Sequence, residues 1–329
     1  MSKKCIKDKK RPLFHTFWPK NSYNQQIFCT FAGQMLLKVQ DSRLMDLSLP
    51  RVMAIINVSP DSFYTSVYGN GEVKDDGRKE EDGDALLGAV QRALDEGADI
   101  LDLGACSTRP GSTPVDAAVE WERLEWALQL IRSSFPNAVL SVDTFRAEVA
   151  ERAIELGANM INDVYGGDAD EKMWEVVAKY DIPYVLTLAQ KLPREGEKGG
   201  YDYTMSDVLH FFEQRLDKLH RMGIKDVIVD PGFGFGKTIE QNYTILRELE
   251  ILKALHAPIL VGVSRKSMLY KPLGLQPIDV LPATIAANVM ANDGYIWGRY
   301  VGATSNEQRF VAVGRATGKI EPDDYLIKI

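Results

Sequence analysis

The stretch AVLSVDTFRAEVAERAIELGANMIND, residues 138–163, holds the architecture in miniature. Its two ends, 138–143 and 159–163, are short and apolar on both faces, as buried parallel strands are. The longer stretch between them has a helical pattern. Outward from it the same unit repeats. VMAIIN (52–57) and ADILDLG (98–104) precede it; PYVLTL (183–188), DVIVD (226–230), PILVGVS (258–264) and the less regular YIWGRYV (295–301) come after it. DALLGAVQRALDEG puts Leu86, Leu87, Val90 and Leu94 on one helical face and stops at Gly97. SDVLHFFEQRLDKLHRMG does the same with Val208, Phe211, Phe212, Leu216 and Leu219 and stops at Gly223. Strands alternating with helices predict a parallel α/β protein. Eight strands close a barrel, so the expected fold is a single-domain (β/α)8 TIM barrel. An open, doubly wound sheet is the competing arrangement.

Such a barrel needs roughly 250 residues, and the chain has 329, of which 45% are hydrophobic. A barrel domain over 35–329 and a basic extension over 1–34, expected to be disordered, account for the length. The extension holds seven Lys/Arg and one Asp, or +6, which leaves −13 on the remainder of a chain of net charge −7. An acidic body lacks the broad basic face that nucleic acid requires. No apolar run is long enough to span a membrane. Neither kind of partner is expected. Cys5, Cys29 and Cys106 form no CxxC pair and no even framework, as in reduced thiols of a cytoplasmic protein. The start, MSKKCIKDKKRP, is basic, but Pro, Lys, Asn and Gln interrupt the next fifteen or so residues, and no cleavage site is present. It does not read as a secretory signal. Met35, which opens LLKVQDSRLMDLSLP, is an alternative start.

In a barrel the active site lies at the C-terminal ends of the strands. The residues there are Asn57, the stretch 107–111 (Ser107, Thr108, Arg109, Pro110, Gly111), Asp143, Asn162 with Asp163, Thr187, Asp230, the stretch 264–267 (Ser264, Arg265, Lys266, Ser267) and Arg299. A charge at the end of a buried strand is costly unless it is paired or used. Taken singly, each has a plain structural explanation. Asp143 and Asp230 suit helix caps; Asn57 suits a turn before Pro60; Lys266 suits a surface; 109–111 suits a turn. Taken together they predict a ring of polar groups round one mouth. Asp143, Asn162 and Asp230 suit the paired hydrogen bonds of a heteroaromatic, amide-like ring. Lys266, Arg109 and Arg299 suit oxyanions. His15, His210, His220 and His256 lie away from the strand ends, so neither a histidine base nor a zinc site is expected.

GFGFGKT at 232–238 has the look of a phosphate loop but not its spacing. A Walker A loop needs glycine where Pro231 stands, and GxGxxG needs it where Lys237 stands. The expected role is close passage of backbone over a ligand, with Phe235 set against it.

Six motifs, NVSPDSF at 57–63, STRPG at 107–111, SVDT at 141–144, INDV at 161–164, DPGFGFGKT at 230–238 and SRKS at 264–267, resemble in order and spacing the motif series of dihydropteroate synthases of the single-function bacterial type. The likeness covers residues 35–290. It implies a pterin-binding transferase of folate biosynthesis that condenses 6-hydroxymethyl-7,8-dihydropterin pyrophosphate with 4-aminobenzoate to give dihydropteroate and pyrophosphate. It also implies a homodimer and a target of sulfonamides. Position by position, it implies that Asn57 contacts Mg2+ beside the pyrophosphate, and that Asp143, Asn162, Asp230 and Lys266 hold the pterin. Arg299 matches the strand-eight arginine that binds pyrophosphate. Ser107, Thr108, Arg109 and Pro110 match a loop that closes over substrate; Thr108, Pro110, Phe235 and Ser267 match the aminobenzoate pocket. Asp143, Asp230, Lys266 and Arg299 are the implied catalytic set.

Two stretches depart from the family pattern. Strand five usually carries Met-His-Met, and here reads Thr187-Leu188-Ala189 with Gln190 next. Strand eight usually reads Arg-Val-His-Asp, and here reads Arg299-Tyr300-Val301-Gly302. On that alignment Val301 replaces a histidine beside the pyrophosphate. The lost charge-assisted bond is worth about 1.5–3 kcal/mol, or roughly ten- to a hundred-fold, and Val301→His is expected to restore it. The first loop also carries an acidic, glycine-rich insert, 69–83. Three functions remain open: an active synthase, a diverged pterin-binding paralogue with weak or no activity, and a pterin-dependent methyltransferase barrel. The last has no need of 107–111 or of SRKS.

Overall fold

The computed structural model describes residues 36–40, 43–47, 50–58, 80–106, 114–189, 204–292 and 299–303. The expected extension, 1–34, lies outside them, as do 59–79, which include most of the insert, 107–113 and 304–329. Met35 opens the unit that contains the barrel.

Two short strands, β1 (Leu36–Gln40) and β2 (Arg43–Asp46), pair as an antiparallel hairpin. Then come β3 (Arg51–Asn57), α1 (Glu80–Asp95), β4 (Ile100–Gly104), α2 (Ala117–Ser134), β5 (Leu140–Asp143), α3 (Ala147–Glu155), β6 (Met160–Asp163), α4 (Met173–Tyr180), β7 (Tyr184–Thr187), α5 (Met205–Arg221) and β8 (Val227–Asp230). The chain continues through α6 (Ile239–Arg247), a 3-10 turn (Leu249–Leu255), β9 (Ile259–Val261), α7 (Ser267–Tyr270), α8 (Leu281–Asn292) and β10 (Arg299–Ala303). Strands β3 to β10 are all parallel and close into an eight-stranded barrel, β10 returning to pair with β3. The expected (β/α)8 barrel is therefore the fold.

The apolar runs become strands because both of their faces are covered. One set of side chains packs outward under the helices, where Leu101, Leu140, Ile161 and Val229 meet Leu86, Leu124 and Phe212. The alternate set points inward. Met53, Ile100, Val139, Met160, Val185, Ile228 and Leu260 cluster there with Leu37, Val39, Met45 and Leu47 of the hairpin. The hairpin thus plugs the end of the barrel opposite the strands' C-termini. The sequence pointed to a folded segment here but not to a plug. The helices begin and end on local signals. Thr204 caps α5 in a reciprocal box with Asp207, and Gly97 and Gly223, past the ends of α1 and α5, take φ of 96° and 90°. Among the described residues no helix is long and apolar enough to cross a membrane.

The eighth barrel strand spans Arg299–Ala303; residues 295–298 of the expected run lie outside the described ones. Tyr300 pairs with Arg51 and Ala303 only with Ala54, three residues short of Asn57.

Candidate active site

Register puts four residues in one row across adjacent strands. Asn57 lies opposite Gly104, Gly104 opposite Asp143, and Asp143 opposite Asn162. In a parallel sheet, residues in register project to the same face, and this face is the barrel interior at its C-terminal mouth. Gly104 makes room in the row. A methyl group there would sit 3.5 Å from Asp143 Oδ2 and 3.7 Å from Asn57 Oδ1. Two residues deeper on β4 stands Asp102, only 6% exposed, whose Oδ2 accepts a 2.9 Å bond from Asn162 Nδ2. That bond aims the Asn162 amide. Asp102 was missed from the sequence because it sits inside its run rather than at the end. The available signal was a charge in the middle of a buried strand.

The carboxylates crowd one another in this mouth. Burial raises Asp143 well above the usual carboxylate range, and the charges of Asp102 and Asp163 push it further the same way. Burial also raises Asp102, with the hydrogen bond from Asn162 opposing. Asp230 is raised by burial and pulled back by the charge of Lys266. Among the described residues no donor reaches the Asp143 carboxylate, an acceptor of the kind that pairs with ligand N–H groups.

The turn after β8 supplies the opposite wall. Gly232, Gly234 and Gly236 all take positive φ, which lets the backbone fold tightly above Asp230. Asp230 Oδ1 accepts from Gly232 N at 2.7 Å. Lys266 Nζ donates to Phe233 O and lies 4.7 Å from the centre of the Phe235 ring. Lys237 turns inward, donating to Leu188 O at 2.6 Å and Gly232 O at 2.8 Å, and Thr238 caps α6. The lysine and threonine of GKT are therefore structural, in agreement with the rejection of a phosphate loop. The backbone of 232–236 is tightly folded and Phe235 is half-buried beside Lys266.

The plain alternatives for the strand-end residues can now be weighed. Arg146 and Thr238 hold the N-cap positions of α3 and α6, so neither Asp143 nor Asp230 is a helix cap. Lys266 is no surface lysine. Asp163 faces away from Asn162 and knits the following turn together, accepting from Tyr165 N, Gly167 N and Tyr184 Oη at 2.9, 2.8 and 2.8 Å. Arg265 donates to Pro277 O and Ile278 O and serves to seat the 264–267 turn, whose Ser267 opens α7. Ser107, Thr108, Arg109 and Pro110 lie outside the described residues. Along the backbone Arg299 pairs with Ile259 of β9; its side chain lies outside the described ones. Val301 pairs with Val52 and Val261.

Residues 53–297 match the family model described as "Pterin binding enzyme". The chain is 39% identical over 241 residues to the dihydropteroate synthase of Clostridium beijerinckii, covering 73% of this chain and 83% of that one. Among solved structures, the Yersinia pestis dihydropteroate synthase in complex with a sulfonamide drug aligns at a TM-score of 0.74 with 32% identity, over 86% of this chain and 100% of that one. The Clostridium difficile enzyme in the presence of pteroic acid aligns at 0.69 with 34% identity, over 81% and 97%. A match of this length, on a barrel whose mouth gathers Asn57, Asp143, Asn162, Asp230 and Lys266, means that the chain belongs to the dihydropteroate synthase family of pterin-binding enzymes.

Proposed function

We propose that the chain condenses 6-hydroxymethyl-7,8-dihydropterin pyrophosphate with 4-aminobenzoate to form dihydropteroate. The carrying observation is the row Asn57–Gly104–Asp143–Asn162 facing Asp230 and Lys266 across one mouth. An amino-pyrimidine ring presents N–H donors along one edge, and Asp143 and Asp230 present carboxylate acceptors with Asn162 locked between them by Asp102. As the C–O bond to pyrophosphate breaks, positive charge develops at the pterin methylene carbon and spreads into the ring. Carboxylates held in a low-dielectric mouth oppose that charge. Lys266, beside Asp230 and over Phe235, keeps the same wall from accumulating excess negative charge. The aromatic amine then forms the new C–N bond and releases a proton. It is uncharged at neutral pH, so the reaction needs no strong base. Among the described residues, histidines occur on α5 and just past the 3-10 turn rather than at the strand ends.

Mg2+ belongs to the same proposal, and the residues present suit it. Asn57 and Asp143 bring oxygen donors to the two sides of Gly104, and among the described residues no cluster of three or more His, Cys, Asp or Glu forms. Magnesium takes one or two protein oxygens and fills its shell with water and substrate phosphates. Bound there, it supplies charge neutralisation to the leaving pyrophosphate. A homodimer is part of the proposal too. Leu273, Ile278 and Met290, at 58%, 61% and 60% exposure, are apolar side chains of the α7–α8 region that such an interface would cover. Light scattering is expected to give twice the 36.8 kDa chain mass; a monomer at micromolar concentration removes this part.

The test is a turnover assay with pterin pyrophosphate, 4-aminobenzoate and Mg2+, read by chromatography. Product is expected only with all three present, and a sulfonamide is expected to compete with 4-aminobenzoate. Folded protein that binds the pterin but forms no product would overturn the synthase reading and leave a pterin-binding paralogue.

A further inference from the structure

The two strand ends beside Asp143 are held from outside by one helix. Glu120 and Arg123 stand three residues apart near the start of α2, hence on neighbouring points of one face. Arg123 Nη1 donates to Ala105 O at 3.0 Å, the residue after Gly104, the strand-end glycine that packs against Asp143 and Asn57. Glu120 pairs with Arg146, three residues after Asp143, and the same guanidinium donates to Val115 O at 2.6 Å. The Arg146 guanidinium also covers the Phe145 ring at 4.6 Å, and Phe145 meets Tyr165 edge-on, with ring centres 5.1 Å apart. So α2 grips the exit of β4 through Arg123 and the exit of β5 through Glu120.

The pair is an expensive way to hold a fold together. Glu120 has no exposed side-chain surface, and its Oε1 has no hydrogen-bond partner. Taking a carboxylate out of water for one partner costs more than an apolar pair of similar volume, which would be as stable or more so. What a charged fork provides that apolar packing does not is direction: it fixes distances and angles between the segments it joins.

We propose that Glu120, Arg146 and Arg123 form a positioning bracket, which sets the β4 and β5 strand ends relative to each other and so places Asp143 for the pterin ring. None of the three touches substrate; they act through the backbone of 105, 115 and 143–146. The proposal rests on the synthase reading for the identity of the ligand, but the bracket itself can be tested without it.

The experiment uses the full-length chain with Cys5→Ser and Cys29→Ser, which leaves the buried Cys106, next to Ala105, as its thiol. In this parent, Glu120→Leu with Arg146→Met replaces the bracket's ion pair by apolar volume. The double variant is expected to melt close to the parent. Its affinity for the pterin pyrophosphate, by calorimetry, is expected to fall about tenfold, the scale of effect that sub-ångström to ångström misplacement produces. Alkylation of Cys106 by N-ethylmaleimide is expected to run several-fold faster. Parental pterin affinity in a folded double variant overturns the proposal, whatever the thiol does. Should the double variant not fold, Arg146→Lys keeps the charge against Glu120 but loses the fork that reaches Val115; it is read in the same way. A parent that binds no pterin sinks the synthase reading instead, and a parental alkylation rate in the variant then sinks the bracket separately.

Discussion

Lys237 shows how a single residue of the mouth responds to pH. Burial lowers its Nζ to about 7, the charge of Asp230 opposes that, and the charge of Lys266 adds to it. In the unfolded chain the group keeps the ordinary value of 10.5. Between those limits the unfolded state binds more protons than the folded one, so this group makes stability rise with pH from about 7 towards 10.5. Below 7 the full cost of a buried charge is present. Lys237→Met is therefore expected to flatten the increase in urea midpoint between pH 7 and 9, relative to the parent. An unchanged slope would show that the lysine is not desolvated as described. Asp163 has the opposite sign. Burial raises it to about 6 against hydrogen bonds from Tyr165, Tyr184 and Gly167. The folded state then holds a proton that the unfolded state has released, and stability falls as pH rises from about 4 to 6. Asp163→Asn is expected to remove that decline. It also leaves one of three donors poorly satisfied, at about 1–3 kcal/mol, so the midpoint drops at neutral pH while its dependence between pH 4 and 6 is lost.

At the scale of elements, the turn after β8 is the most constrained. Gly232 has φ of +68°, and a methyl group there would lie 2.2 Å from Leu188 O and 3.1 Å from Lys237 Nζ. Gly232→Ala must move the β7 exit or the turn itself. A destabilisation on the order of 3 kcal/mol or more is expected in denaturant unfolding. Pterin affinity is expected to fall with it, because Gly232 N holds Asp230 Oδ1. A neutral effect on both would mean that the turn is not the platform for Asp230. At the other end of the barrel, Arg132 of α2 donates to Ala138 O and Gly157 O and bonds Asn159 Oδ1, tying a helix, a strand start and a helix end in one cluster. One helix therefore holds the barrel at both ends, through Arg132 at its C-terminus and through Glu120 and Arg123 near its start.

For the whole molecule, the barrel is graded along its axis. The hairpin end is filled by apolar side chains, the middle carries Asp102 and Ser141, and the mouth carries Asn57, Asp143, Asn162 and Asp230. The floor lets the mouth be polar: a barrel open at both ends would hydrate the carboxylates and lose the low-dielectric setting that makes their charge useful. Leu47, fully buried in that floor, tests the point. Leu47→Ala is expected to cost about 2–4 kcal/mol by calorimetry or denaturant titration, with kcat little changed in the folded enzyme. A variant of parental stability would mean that the hairpin covers the barrel without supporting it.

Much of this was written in the chain itself. Short runs apolar on both faces can be buried only between two covered surfaces, and their alternation with amphipathic stretches leaves a parallel α/β barrel. Polar residues at the ends of such runs, Asn57, Asp143, Asn162 and Asp230, were legible as a site because burial makes them costly anywhere else. Three things waited for the tertiary structure. Asp102 became visible only when β6 brought Asn162 against it, since no pattern along β4 distinguishes a carboxylate with a partner from one without. Asp163 and Lys237, polar and next to site residues, proved to be turn braces, because which way a strand-end side chain faces is set by register. The register of β10, with Arg299 against Ile259 and Val301 against Val52 and Val261, was likewise settled only by strand pairing. A run of apolar residues states that a strand exists, while hydrogen bonds to its two neighbours decide where along the barrel each of its residues stands.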